Sequence, residues 1–167
     1  GISSKAIRVS DPSAAARYSC RSAFGVQTFQ NTEKAVSGTD IIILAVKPYI
    51  VEKAAITLKE CCEPNCLLIS VAAGVRLSSL ERWIGEEKAI ARAMPNTPVL
   101  VSRGATAIKT NNLVSERQKK IIEDIFGEVG MVRFVETEES LDAVTAISGS
   151  GPAYFFLFTE LLEKAAI

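Results

Sequence analysis

Three short stretches carry side chains suited to meeting a ligand, and each stands at the end of an apolar run. Val46-Lys47-Pro48 closes the run Ile41 to Pro48, Ala72-Ala73-Gly74 closes Leu67 to Ala73, and Asn96-Thr97 lies between Pro95 and Pro98 after Ala89 to Met94. A lysine suits an anion, an amide and a hydroxyl supply hydrogen bonds, and Ala-Ala-Gly lets a flat ring or a sugar approach the backbone closely. Each also has an ordinary use: Lys47 as a solvated strand end, the Pro95 to Pro98 loop as a plain turn, the small residues as a tightly packed strand end. No histidine occurs in the 167 residues, so any chemistry proceeds without the commonest general base and the commonest metal ligand. The four cysteines (Cys20, Cys61, Cys62, Cys66) are too few for a disulfide scaffold in a chain of this length. We read them as reduced structural thiols rather than a zinc site, and expect no metal.

The elements that must hold these stretches follow from hydrophobic patterning. Ile41 to Val46 does not alternate with polar residues, which predicts a strand buried on both faces in a parallel sheet covered by helices, ended by Pro48. In such sheets ligands sit beyond the carboxyl ends of the strands, where Val46, Lys47 and Pro48 fall. Further strands are expected at Ala6 to Ser10, Phe24 to Phe29, Leu67 to Ala73, Ala89 to Met94, Ala105 to Lys109 and Met131 to Val135. Helices are expected at Ala14 to Ser22, from Asn31 to near Gly38, at Val51 to Cys61, at Ser78 to Ile84 with a Ser78 and Glu81 capping box, and from Ser115 to Phe126 with Gln118 closing the box. A helical pattern from Ser140 leads to Ser148-Gly-Ser-Gly-Pro152, and Ala153 to Ile167 is a second helix with Pro152 in its first turn. Strands and helices in this alternation make an α/β layered fold.

Asp11 follows the first of these strands. An acidic residue just past the second strand of a dinucleotide fold meets the adenosine ribose hydroxyls and repels a 2′-phosphate, which makes Asp11 a candidate selector for NAD; it serves equally as a plain helix cap. The formal charge is zero, with 19 basic and 19 acidic residues, so no polyanion surface for nucleic acid is expected. No apolar stretch reaches the roughly 18 residues that span a bilayer, and we expect a soluble cytoplasmic protein. The last helix is apolar almost all round from Tyr154 to Leu162 and wants a partner, another domain or another chain.

Four stretches together, Ile-Leu-Ala-Val-Lys-Pro at 43–48, Ser-Val-Ala-Ala-Gly at 70–74, Met-Pro-Asn-Thr-Pro at 94–98 and Asp-Ala-Val-Thr-Ala-Ile-Ser-Gly-Ser-Gly-Pro-Ala-Tyr at 142–154, resemble pyrroline-5-carboxylate reductases. The resemblance runs over essentially the whole chain. It implies a Rossmann-like doubly wound parallel sheet, incomplete at its N-terminus, over residues 1–147, and the first helix of a truncated dimerisation domain over 148–167. It also implies reduction of 1-pyrroline-5-carboxylate to L-proline with NADH or NADPH, and a homo-oligomer. By resemblance, Val46, Lys47 and Pro48 line the cofactor's phosphate and ribose edge, Ala73 lies against it, Thr32 is near the adenosine end, and Asn96 and Thr97 sit by the nicotinamide. Thr32 stands where many members carry asparagine, and Ala146 replaces the glycine usual before Ile147-Ser148. The family's glycine-rich first turn and its carboxylate-binding loop have no counterpart here. Two other readings compete: a dehydrogenase of the 6-phosphogluconate or β-hydroxyacid type on the same architecture, and a non-catalytic fragment kept as a binding module.

Overall fold

The computed structural model describes residues 2–166; the predicted last helix residue, Ile167, lies outside them. A 3-10 turn at Ser4–Ala6 precedes β1 (Arg8–Ser10), α1 (Ala14–Phe24) and β2 (Gln27–Phe29), and β1 and β2 form a two-stranded parallel sheet. Then come α2 (Thr32–Val36), β3 (Ile41–Leu44), α3 (Pro48–Cys61), β4 (Leu67–Ser70), α4 (Leu77–Ile84) and β5 (Ala89–Met94). A 3-10 turn at Thr97–Val101 leads to β6 (Gly104–Thr110), α5 (Glu116–Gly127), β7 (Gly130–Phe134) and α6 (Glu138–Val144), which continues through a π-helical stretch (Thr145–Ser150) into α7 (Gly151–Ala165).

The second sheet has the order β3-β4-β5-β6-β7. All its neighbours are parallel except β5 and β6, because residues 95–103 are too short a link for the crossover that a parallel return requires. The fold is thus α/β with a mostly parallel sheet, as the alternation of elements predicts. Its core lies on two sides. Ile42, Leu44, Leu68 and Ile90 pack with Val51, Ala55 and Leu58 of α3 and Leu80 and Ile84 of α4; Leu67, Ile69, Ala91 and Ile108 pack with Ile122 and Phe126 of α5. Each such aliphatic or aromatic side chain, fully buried, contributes about 1.5–3 kcal/mol.

Several sequence expectations are corrected. The strand buried on both faces is β4, whose four residues are all enclosed, whereas β3 buries Ile42 and Leu44 under α3 and leaves Ile43 45% exposed on its other face. Strand geometry stops at Leu44, so Pro48 does not end the strand; it opens α3, in the first turn where a missing N–H costs nothing, and α3 starts before the predicted Val51. The strand expected from Phe24 shrinks to Gln27–Phe29, since α1 continues to Phe24 and is closed by Gly25 at φ 66. Ser78 caps nothing: α4 starts one residue earlier, with Arg76 at its N-cap position and no side-chain cap there. The box of Ser115 and Gln118 forms in both halves. The helix predicted from Ser140 starts at Glu138 under a Thr137 cap. On α7, Tyr154 to Phe158, Leu161 and Leu162 remain between 54% and 74% exposed.

Candidate functional site

Three exits stand side by side because β3, β4 and β5 are adjacent and parallel, with Leu44 opposite Ser70 and Ser70 opposite Arg92. The chain after Leu44 (Ala45-Val46-Lys47), after Ser70 (Val71 to Gly74) and after Met94 (Pro95-Asn96-Thr97) therefore leaves one edge of the sheet. The first two exits are fastened together by Val71 N donating to Leu44 O at 3.2 Å. Ser70, buried in β4, accepts Ala72 N on Oγ at 3.3 Å, which turns Ala72 inward and leaves Ala73 and Gly74 exposed. Gly74 holds φ 74, a conformation that disfavours a side chain, and an added Cβ would meet nothing within 4 Å, so the backbone here is open to an approaching group.

Val46, Lys47 and Pro48 are exposed, with Lys47 at the N-cap of α3 and without a side-chain cap bond. Its ammonium and the positive end of the α3 dipole place positive charge at this edge, although Pro48 has no N–H to offer and Ile50 N already donates to Lys47 O at 2.8 Å. Asn96 is fixed at both ends of its amide: Nδ2 donates to Ser148 Oγ at 3.0 Å and Oδ1 accepts from Ala105 N at 2.8 Å. Thr97 is exposed and begins the 3-10 turn.

The structure does not bring every predicted residue to this edge. Asp11 and Thr32 belong to the end of the two-stranded sheet, where Ser10 Oγ and Thr32 Oγ1 are 3.2 Å apart and Asp11 N donates to Phe29 O. Asp11 Oδ1 accepts from Ser13 N at 2.7 Å, while the cap of α1 itself is Ser13, whose Oγ accepts from Ala16 N. Among the described residues no side-chain hydrogen bond joins this pair to the Val46, Ala73 and Asn96 edge, and no three histidine, cysteine, aspartate or glutamate side chains gather as a metal group.

Sequence reasoning missed Ser148, Arg92 and Glu138. Arg92 is 3% exposed in the middle of β5, with Nη1 2.5 Å from Glu138 Oε1 and Nη2 3.7 Å from Asp142 Oδ1. The signal was present: an arginine inside Ala-Ile-Ala-Arg-Ala-Met must find an acidic partner, because a charge is not buried alone. What the edge offers chemically is a cation, an open backbone and two oriented polar groups, enough to seat a phosphate-bearing cofactor and a flat ring.

Residues 138–167 match the family described as pyrroline-5-carboxylate reductase dimerisation, and residues 1–74 match the family described as NADP oxidoreductase, coenzyme F420-dependent. A pyrroline-5-carboxylate reductase of Pseudomonas aeruginosa is 36% identical over 99% of this chain and 60% of its own length, and one of Arabidopsis thaliana is 40% identical over 86% and 51%. Among solved structures, a pyrroline-5-carboxylate reductase from Coxiella burnetii superposes with a TM-score of 0.89 at 37% identity, covering 99% of this chain and 62% of that one. The Plasmodium falciparum pyrroline carboxylate reductase with NADP bound gives a TM-score of 0.82 at 34% identity, covering 95% and 57%. The chain thus spans about half to three-fifths of the length of these relatives. A prephenate dehydrogenase from Aquifex aeolicus, 14% identical at a TM-score of 0.71, shares the fold alone.

Proposed function

We propose that this chain, which belongs to the pyrroline-5-carboxylate reductase family, contributes the cofactor edge of an enzyme that reduces 1-pyrroline-5-carboxylate to L-proline with NADPH or NADH. The observation that carries the reading is the alignment of three parallel strand exits, those of β3, β4 and β5, on one sheet edge. The bound nicotinamide would supply a hydride to the imine carbon. The chain's own residues do the rest of the work. Lys47 and the start of α3 attract the phosphates, and Val46 and Pro48 flank them. Ala73 and Gly74 let the sugar approach the backbone. Asn96 and Thr97 border the reacting ring, and Asp11 and Thr32 meet the adenosine end. A substrate imine that arrives protonated needs alignment and exclusion of water rather than a histidine base.

The helical segment from residue 148 onward is read as the opening of a dimerisation domain, and residues 1–147 as the Rossmann-like unit. The exposed apolar face of α7 supports that reading, since such a face is stable in water only when covered. The test is to supply the full-length protein with 1-pyrroline-5-carboxylate, follow oxidation of NADPH and NADH, and identify the product. Imine-dependent oxidation with stoichiometric proline is expected; binding of the cofactor with no imine-dependent oxidation would overturn the reading.

A further inference from the structure

Arg92 sits at the centre of the sheet with almost no access to water, and its guanidinium spans two carboxylates that lie one helical turn apart on α6. Nη1 donates to Glu138 Oε1 and Nη2 faces Asp142 Oδ1 at 3.7 Å. The fork of the guanidinium suits this spacing as an ammonium would not. Glu138 Oε1 has a second task. It accepts from Leu77 N at 2.9 Å, satisfying the first turn of α4, whose own N-cap residue provides nothing. One carboxylate therefore joins β5, the start of α4 and the start of α6.

Four residues beyond Arg92, the same strand exit makes a second attachment to the same helical arm, from Asn96 to Ser148. The arm between the two attachments is continuous, and its last part, Thr145–Ser150, has the looser π geometry rather than the α-helical one. π turns are rare interruptions of α-helices and sit where a helix is deflected from its regular course. The carboxyl edge thus meets the arm at its π-helical stretch, and the pair of buried Arg92 with part-buried Glu138 ties the start of the same arm to β5.

We propose that Arg92 and Glu138 are positioning residues that anchor α6 to β5 and so hold Ser148 within reach of Asn96 at the site. The inference rests on the functional reading above, and its test separates the two. In the full-length protein, Glu138→Gln keeps an acceptor for Leu77 N but removes the negative charge that faces the buried Arg92 guanidinium. The double variant Arg92→Met/Glu138→Gln removes both charges, which relieves the penalty of leaving one buried and unpaired. Hydrogen exchange is then compared between peptides covering 145–150 and peptides covering β4, alongside kcat for imine reduction.

The expected result is exchange at 145–150 raised by about tenfold or more in both variants with β4 unchanged, and kcat reduced by about tenfold in both, although the double variant melts close to wild type. Unaltered exchange at 145–150, an equal rise in β4, or an unaltered kcat with a loosened 145–150 would each overturn the proposal. Should wild type bind cofactor and reduce no imine, the functional reading fails while the exchange comparison still decides whether the anchor exists.

Discussion

Asn96 Nδ2 donates to Ser148 Oγ across 3.0 Å, joining the exit of β5 to the π stretch of the helical arm. Since the serine oxygen is the acceptor, its own proton is left to donate elsewhere, and since Asn96 Oδ1 is held by Ala105 N, the amide cannot rotate without losing a second bond. Asn96 is therefore held in one orientation between β6 and the helical arm.

Asn96→Asp tests this. The carboxylate keeps the acceptor for Ala105 N but turns the Ser148 hydroxyl around to donate to it. We expect kcat for imine reduction in the full-length protein to fall about tenfold, a loss of about 1.4 kcal/mol of transition-state stabilisation, with the melting temperature nearly unchanged. Asn96→Ala, which also strands the Ala105 amide, is expected to lose about 1–3 kcal/mol of stability as well. Equal kcat in Asn96→Asp and wild type would make the residue a plain turn constraint.

Asp11 presents a carboxylate at the end of β1, with Oδ1 bonded to Ser13 N. A negative charge there opposes a 2′-phosphate, so Asp11→Ser is expected to shift the ratio of kcat/KM for NADPH over NADH upward by about tenfold. The helix stays capped, because Ser13 Oγ holds Ala16 N independently. A ratio that does not move removes Asp11 as a selector.

Cys66 is buried, and its thiol is pushed from an ordinary 9.0 to about 11, by burial first and then by the neighbouring Cys62. At pH 8 the thiolate population, and hence alkylation of the folded chain, is lowered by roughly 100-fold against an unperturbed thiol. The folded state holds this proton more tightly than the unfolded one, so stability present below pH 9 is lost as the pH rises toward 11. Mass-spectrometric mapping of iodoacetamide labelling should find Cys66 among the last cysteines modified; labelling as fast as an exposed thiol would contradict the burial.

The apolar face of α7 predicts association. Full-length protein is expected to sediment as more than a monomer, and Phe155→Glu/Phe158→Glu to shift it toward smaller species, because each covered aromatic is worth about 1.5–3 kcal/mol. A wild-type protein that stays monomeric at micromolar concentration would deny that face a self-partner.

The architecture was legible where runs of one residue class decide the outcome. Leu67 to Ser70 and the Ser115 box behave as their patterns require, because burial on two faces and a reciprocal cap are local properties. Boundaries went astray where a distant residue decides them. Ser78 looked like a cap, yet Glu138, 61 positions from Leu77, supplies the acceptor. Ile43 looked enclosed because the run around it is uniform, although only one side of β3 is covered by α3. At the edge, Val46, Lys47, Ala73 and Asn96 could be grouped from their positions after apolar runs. The bond from Asn96 to Ser148 could not, since nothing local indicates which helix returns to a given loop.

The central claim, that the exits of β3, β4 and β5 seat a nicotinamide cofactor, is tested most directly at Ala73. The residue is exposed, so Ala73→Leu adds bulk at the edge without disturbing the core. Titrating full-length wild type and Ala73→Leu with NADPH and with NADH by fluorescence should show the Kd of the preferred cofactor raised by about tenfold or more at an unchanged melting temperature. Equal affinity in the two proteins would place the cofactor elsewhere and contradict the account.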